Sequence, residues 1–257
     1  MKNILKIMLM MITIFTIAGS AVYAAEIPVS DQDQLITSSD WTEISNLQDE
    51  MKKEEPDATI DYDKALKVYV DCNLIKLQTA DTKKLTSALE SANYVWVIPF
   101  KMEKTYGMFT VAKGLPLREE AKSVLTKAEQ EEVKNHAGKW MITETAEHTV
   151  EPYYDILLEK REALSDCTRV VLVGSQPGMR QPVALGMDDE TARIWISLGY
   201  QYPVMEKIPE TQNVESGVYS FDSVAEISDT YIEDSEVSTG AGVQSRSSMK
   251  YVAGIGI

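Results

Sequence analysis

Leu66, Val68, Val70, Cys72 and Leu74 alternate with Lys67, Tyr69, Asp71 and Asn73. This period of two predicts a strand over residues 66–75 with Cys72 on its core face. Residues 94–100 are apolar on both faces, which predicts a central strand, and 108–112 form a partner beside it. Trp41, Ile44, Leu47 and Met51 follow helical spacing. Asp40 stands before them as a cap with Glu43 as its reciprocal partner, and Pro56 stops the run. Asp81 caps a short helix over 82–92. The longest predicted helix covers 117–135, with Leu117, Ala121, Val124, Leu125 and Ala128 as its buried stripe and Gly138 as its stop.

Further along, residues 140–145 read as a strand, Pro152 opens a helix to about 165, and Val170–Val173 is a second apolar strand. Residues 183–187 and 192–198 form a hairpin across Asp188, Asp189 and Glu190, and a last strand lies near 218–221. Strict strand–helix alternation is missing, so the pattern predicts an α+β fold: a largely antiparallel sheet with helices packed on it. A helix–strand–hairpin unit weakly repeats about 75 residues apart, carried by Ala88/Ala163, Leu89/Leu164 and Val95/Val170. The expected organisation is one domain over 40–227, with candidate halves 40–115 and 116–227, after an irregular segment at 25–39.

The two ends read differently. Lys2 and Lys6 precede an apolar run to Ala18 and a small-residue exit at Gly19, Ser20, Val22 and Ala24. That order is a secretory signal peptide over residues 1–24, cut after Ala24 or one residue later. Residues 4–22 also approach the length of a membrane anchor, about 20 apolar residues, but the exit suits a peptidase. A secreted or surface-associated protein with no stable transmembrane segment is therefore expected. Residues 228–257 shift to Ser, Thr, Gly, Asp and Glu, a flexible tail by composition. The tail ends in an apolar stretch, 251–257, able to add a strand to a sheet edge.

Charge and chemistry narrow the function classes. The net charge is −15 and no basic cluster offsets it, which disfavours nucleic acid. Cys72 and Cys167 are the two cysteines; export permits a disulfide between them, and buried free thiols are the alternative. His136 and His148 are the two histidines, too few for the usual zinc site, and no H-E-x-x-H run occurs. Asp57, Asp61 and Asp63 lack the glycine and closing glutamate of a calcium loop. Neither a phosphate-binding glycine loop nor a G-x-S-x-G elbow is found.

The aromatic pattern offers more. With Ile194, Ile196 and Leu198 facing one way, Trp195 stands beside Arg193 and Ser197 on the other face, with Tyr200 and Tyr202 following and Arg180 in the preceding loop. Trp195, Tyr200 and Tyr202 would supply apolar contact, and Arg193 and Arg180 directional hydrogen bonds. The sequence thus points to an exported, non-enzymatic domain that binds a small ligand, a glycan or a peptide or protein partner, with no cofactor and no metal. Two alternatives stand beside it: an extracellular hydrolase using a carboxylate pair, and an assembly or adhesion protein using its C-terminal peptide.

Overall fold

The computed structural model describes residues 27–148, 151–174, 176–179, 181–200, 202–210 and 213–228. The segment read as a signal peptide, Arg180 and the segment beyond 228 read as a tail lie outside the described residues. Ten strands form one mixed, mostly antiparallel sheet: β1 (Thr59–Ile60), β2 (Leu66–Val70), β3 (Asn93–Lys101), β4 (Tyr106–Lys113), β5 (Trp140–His148), β6 (Arg169–Val173), β7 (Val183–Met187), β8 (Ala192–Ser197), β9 (Asn213–Glu215) and β10 (Val218–Ser220). Their order is β5-β4-β3-β2-β6-β7-β8-β10-β9, with β1 pairing β3 beyond the start of β2. The architecture is α+β, and among the described residues no helix is long and apolar enough to cross a membrane.

Helices cover both faces, so strands that read as half-polar are buried on each side. One face carries Tyr69, Val171, Leu185 and Trp195 under α3 (Thr82–Glu90), the 202–208 segment and a final helix at 221–228. Further along the same face, Trp96, Ile98, Phe100 and Phe109 pack beneath α1 (Trp41–Ile44) and α2 (Gln48–Glu54). The opposite face buries Val68, Val170, Leu172, Ile194 and Ile196 beneath α6 (Tyr153–Glu159) and Leu164. Two antiparallel meanders, β3-β4-β5 and β6-β7-β8, lie on either side of β2; the echoed segments 88–112 and 163–187 hold their first two strands, β3-β4 and β6-β7.

The two meanders join at a thin seam. Among the described strands β2 and β6 are the one parallel pair, matched only at Val68↔Leu172 and Tyr69↔Val173. Toward their starts they diverge, and residues 27–37 fill the notch. Val170 N donates to Pro28 O (2.7 Å) and Leu35 N to Ala65 O (3.1 Å), so the arm bonds to both sides. Isolated bridges join Val29 to Val170 and Gln34 to Leu66. The arm also passes from face to face: Ile27 and Val29 pack with the α6 cluster, whereas Leu35 packs with Trp96 and Phe109.

Asp33 pins this arm and is 2 % exposed. Its carboxylate accepts from Tyr69 Oη (2.7 Å), Ser30 Oγ (2.6 Å) and Arg169 Nη2 (3.1 Å), with Lys67 Nζ 3.8 Å away. The Lys67 ammonium lies 4.5 Å from the Tyr94 ring centre, 5.2 Å from that of Trp96 and 5.8 Å from that of Tyr69. Burial lowers the Lys67 pKa below the usual lysine range, against the opposing pull of Asp33 and Asp40.

Three local expectations are corrected. Asp40 does not cap its helix: its carboxylate instead accepts from Tyr94 Oη (2.8 Å) and Trp96 Nε1 (3.0 Å). A tertiary bond to one buried and one half-buried donor here displaces the local one. The first strand stops at Val70 because Asp71 takes a left-handed turn (φ 58°). The long helix over 117–135 divides into α4 (Glu119–Lys122) and α5 (Lys127–His136), split by Thr126, which builds a capping box with Glu129. Neither helix has a buried residue, and Val124 is strongly exposed. This excursion is closed at its base where Gly114 N bonds to Lys139 O (2.9 Å) and Gly138 N to Gly114 O (2.7 Å). A side chain on Gly114 would meet the His136 carbonyl at 2.1 Å.

Replacing Asp33 by Ala leaves the buried Lys67 and the half-buried Arg169 without their shared carboxylate. The expected loss is about 3–5 kcal/mol of unfolding free energy, measured as a lower urea midpoint.

Candidate functional site

The residues singled out by the aromatic pattern do not converge on a surface. Trp195 is 0 % exposed and stacks on Phe221 of the final helix, ring centres 5.8 Å apart at 14°. Its Nε1 is buried and finds no hydrogen-bond partner among the described residues. The expectation of an exposed Trp195 fails because that side of β8 is roofed by the 202–208 segment and the 221–228 helix. Tyr202 is also buried, its hydroxyl donating to Pro182 O. Tyr200 is half-buried with its hydroxyl 3.2 Å from that of Tyr153, and burial raises both phenol pKa values. These aromatics are core, and Arg180 is outside the described residues.

Arg193 is different. Between β7 and β8 the register runs Gly186↔Ile194 and then Met187↔Ala192, which leaves Arg193 as the extra residue of a β-bulge. The bulge breaks the alternation: Ala192 joins the Trp195 cluster, Ile194 joins the opposite one, and the Arg193 side chain remains 54 % exposed. Its guanidinium pairs with Asp188, whose carboxylate also accepts from Thr191 N (2.7 Å) and Glu190 N (2.8 Å). Those backbone donors, and then the guanidinium, hold the Asp188 carboxyl below its usual range. The arginine is therefore held in place by an anchored partner.

Arg193 stands on a groove of about 490 Å³ lined also by Ala163, Asp166, Cys167, Ile194 and Val214. Ile194 and Cys167 are buried and give it an apolar floor; Asp166 and Arg193 bring one charge of each sign, and Val214 an exposed apolar wall. Gly186 makes room for this floor, since a side chain there would meet Cys167 Sγ at 2.8 Å. The sequence pattern points to Arg193 and Cys167 but not to Asp166, Ile194 or Val214. The missing signal is the bulge, which one sequence does not announce.

Cys72 and Cys167 are both free thiols. The disulfide expectation is corrected by topology. Cys72 follows the end of β2 and Cys167 precedes the start of β6, and because those strands are parallel the two lie at opposite ends of the seam. They also belong to clusters on opposite faces. Burial, and then Asp188 and Asp166, push the Cys167 thiol from 9.0 up to about 11. Burial and Asp71 do the same for Cys72. Among the described residues no group of three or more His, Cys, Asp or Glu side chains is arranged to hold a metal ion. Glu144, Glu147 and His148 lie in β5, which continues past the predicted strand over 140–145.

No protein-family model, curated protein or solved structure matches the chain.

Two outcomes check this description. Trp195→Ala is expected to cost about 3–5 kcal/mol of stability, as for a fully buried aromatic, read from urea unfolding. At pH 8 both thiols should alkylate with iodoacetamide about a hundred-fold more slowly than after unfolding, because a pKa raised from 9.0 to about 11 leaves about a hundredth of the thiolate. The rate should climb with pH toward that of the unfolded chain.

Proposed function

We propose that this is an exported binding protein whose ligand sits in the groove beside Arg193, and that the ligand is a short apolar peptide or amino acid with free ends. The observation that carries the proposal is the bulged Arg193 itself, its guanidinium fixed by Asp188 at the edge of an apolar floor. A guanidinium held this way offers its remaining N–H donors to a carboxylate in a preset geometry. Asp166 on the same groove is the complementary acceptor for an amine, and Ile194, Ala163 and Val214 take an apolar body.

Binding is favoured over chemistry by the state of the groove's sulfur. Cys167 is the only thiol among its described lining residues, and with a pKa of about 11 it is protonated at neutral pH and a poor nucleophile. A carboxylate-pair hydrolase would need a second acid beside Asp166, and Asp166 is the one carboxylate among the described lining residues. The export reading rests on the basic, apolar and small-residue order of residues 1–24.

Calorimetric titration of the chain with apolar tripeptides, free-ended or acetylated and amidated, tests the site. Free-ended peptides should bind and capped ones should not. Arg193→Ala should weaken binding by about ten-fold or more while leaving the melting temperature unchanged. Equal affinity of Arg193→Ala and the parent chain, or equal binding of capped and free peptides, removes the groove as the site. Export is tested separately: the secreted chain should begin at Ala25 or Glu26 on N-terminal sequencing.

A further inference from the structure

We infer that the folded domain shields its own processing site, so that residues 1–24 are removed only before the arm at 27–37 has docked, and a chain that docks first keeps them. This rests on the export reading and owes nothing to the groove beside Arg193. A cut after Ala24 leaves only Ala25 and Glu26 before Ile27, and a cut one residue later leaves Glu26 alone. Even at full extension, Ala24 and Ile27 are only about 10 Å apart along the chain. Ile27 is 3 % exposed and Val29 8 %. Buried chain therefore begins within that distance of the bond to be cut.

A peptidase that takes its substrate as an extended strand bonds to the main chain on both sides of the cut. Here the groups beyond the cut are already engaged. Ile27 O accepts from Val29 N (2.8 Å), Pro28 O from Val170 N (2.7 Å) and Val29 O from Gln34 Nε2 (3.1 Å). Pro28 has no N–H to offer. The chain then winds through two 3-10 turns, Asp31–Asp33 and Leu35–Thr37, and is not extended. Asp33 ties the first turn to Tyr69 on β2 and Arg169 on β6. Presenting an extended segment to the enzyme would break all of these bonds, so cutting of the folded chain follows the small population in which the seam is open. Processing and docking thus compete for the same residues. Cutting first releases a free domain. Docking first gives a second form, held at a membrane by residues 4–22, whose apolar length approaches the about 20 residues of a span.

The test compares two full-length chains folded in detergent micelles and treated with purified signal peptidase: the parent, and a variant with a Gly-Ser linker of about six residues between Glu26 and Ile27. The linker leaves the cut sequence intact and moves the buried chain away from it. Cutting is followed by the mass of the product. The folded parent should be cut about a hundred-fold or more slowly than the folded linker variant. A folded parent cut as fast as the linker variant overturns the inference. If neither chain is cut, even when diluted out of urea with the enzyme present, the export reading falls and takes the inference with it. Should the linker lower the urea midpoint, the parent alone decides. Enzyme present during dilution from urea should cut it, and enzyme added after folding should leave it whole; equal cutting in the two samples overturns the inference.

Discussion

One buried carboxylate holds the molecule across its weakest line. The sheet is continuous in name, yet its two meanders meet through two residue pairs of a parallel ladder, the less stable kind of strand pairing. Asp33 sits where that ladder fails and bonds to Tyr69 on one side and Arg169 on the other. Gln176 performs a neutral version of the same task at the far end, donating to Cys72 O and accepting from Leu74 N. The seam is thus closed by polar groups at both ends and by apolar clusters on both faces. The ammonium of Lys67, stripped of water, is tolerated because three aromatic rings and Asp33 replace that solvation.

Much of the fold was legible because its strands obey local rules. The β7–β8 hairpin follows from two apolar runs and an acidic turn, and Asp81 caps α3 through Lys84 N as its sequence position implies. What was not legible came from tertiary competition. Asp40 has a cap's sequence context but serves two ring donors. Trp195 alternates with isoleucines as if on a wet face, and only the full sheet shows that both faces are dry. Residues 117–135 have helical spacing, but Thr126 and Glu129 close a capping box that breaks the run, and its apolar stripe is nowhere fully buried. The arm at 27–37 is polar enough to read as irregular, yet it holds two 3-10 turns, Asp31–Asp33 and Leu35–Thr37; its partners, Lys67 and Arg169, lie far away in sequence.

The candidate site was half legible for a related reason. Arg193 was found by its chemistry, but its surroundings depend on a one-residue slip in the β7–β8 ladder. That slip separates Arg193 from Trp195, the neighbour that alternation assigns to it, and places it beside Asp166 and Cys167 instead. The thiol there is subdued by burial first and then by the same acids that accompany the arginine, so the groove combines charge with low nucleophilicity.

The excursion between β4 and β5 has a different significance. Its ends meet at Gly114 and Lys139, so the sheet experiences those residues almost as a single short turn. Extra length there adds only slowly to the entropy of closing the loop, and no core residue is displaced when its helices lengthen, shorten or change sequence. The pinch therefore works as an insulator. It separates a surface appendage, free to diversify, from a ladder in which a one-residue change would turn every side chain to the wrong face.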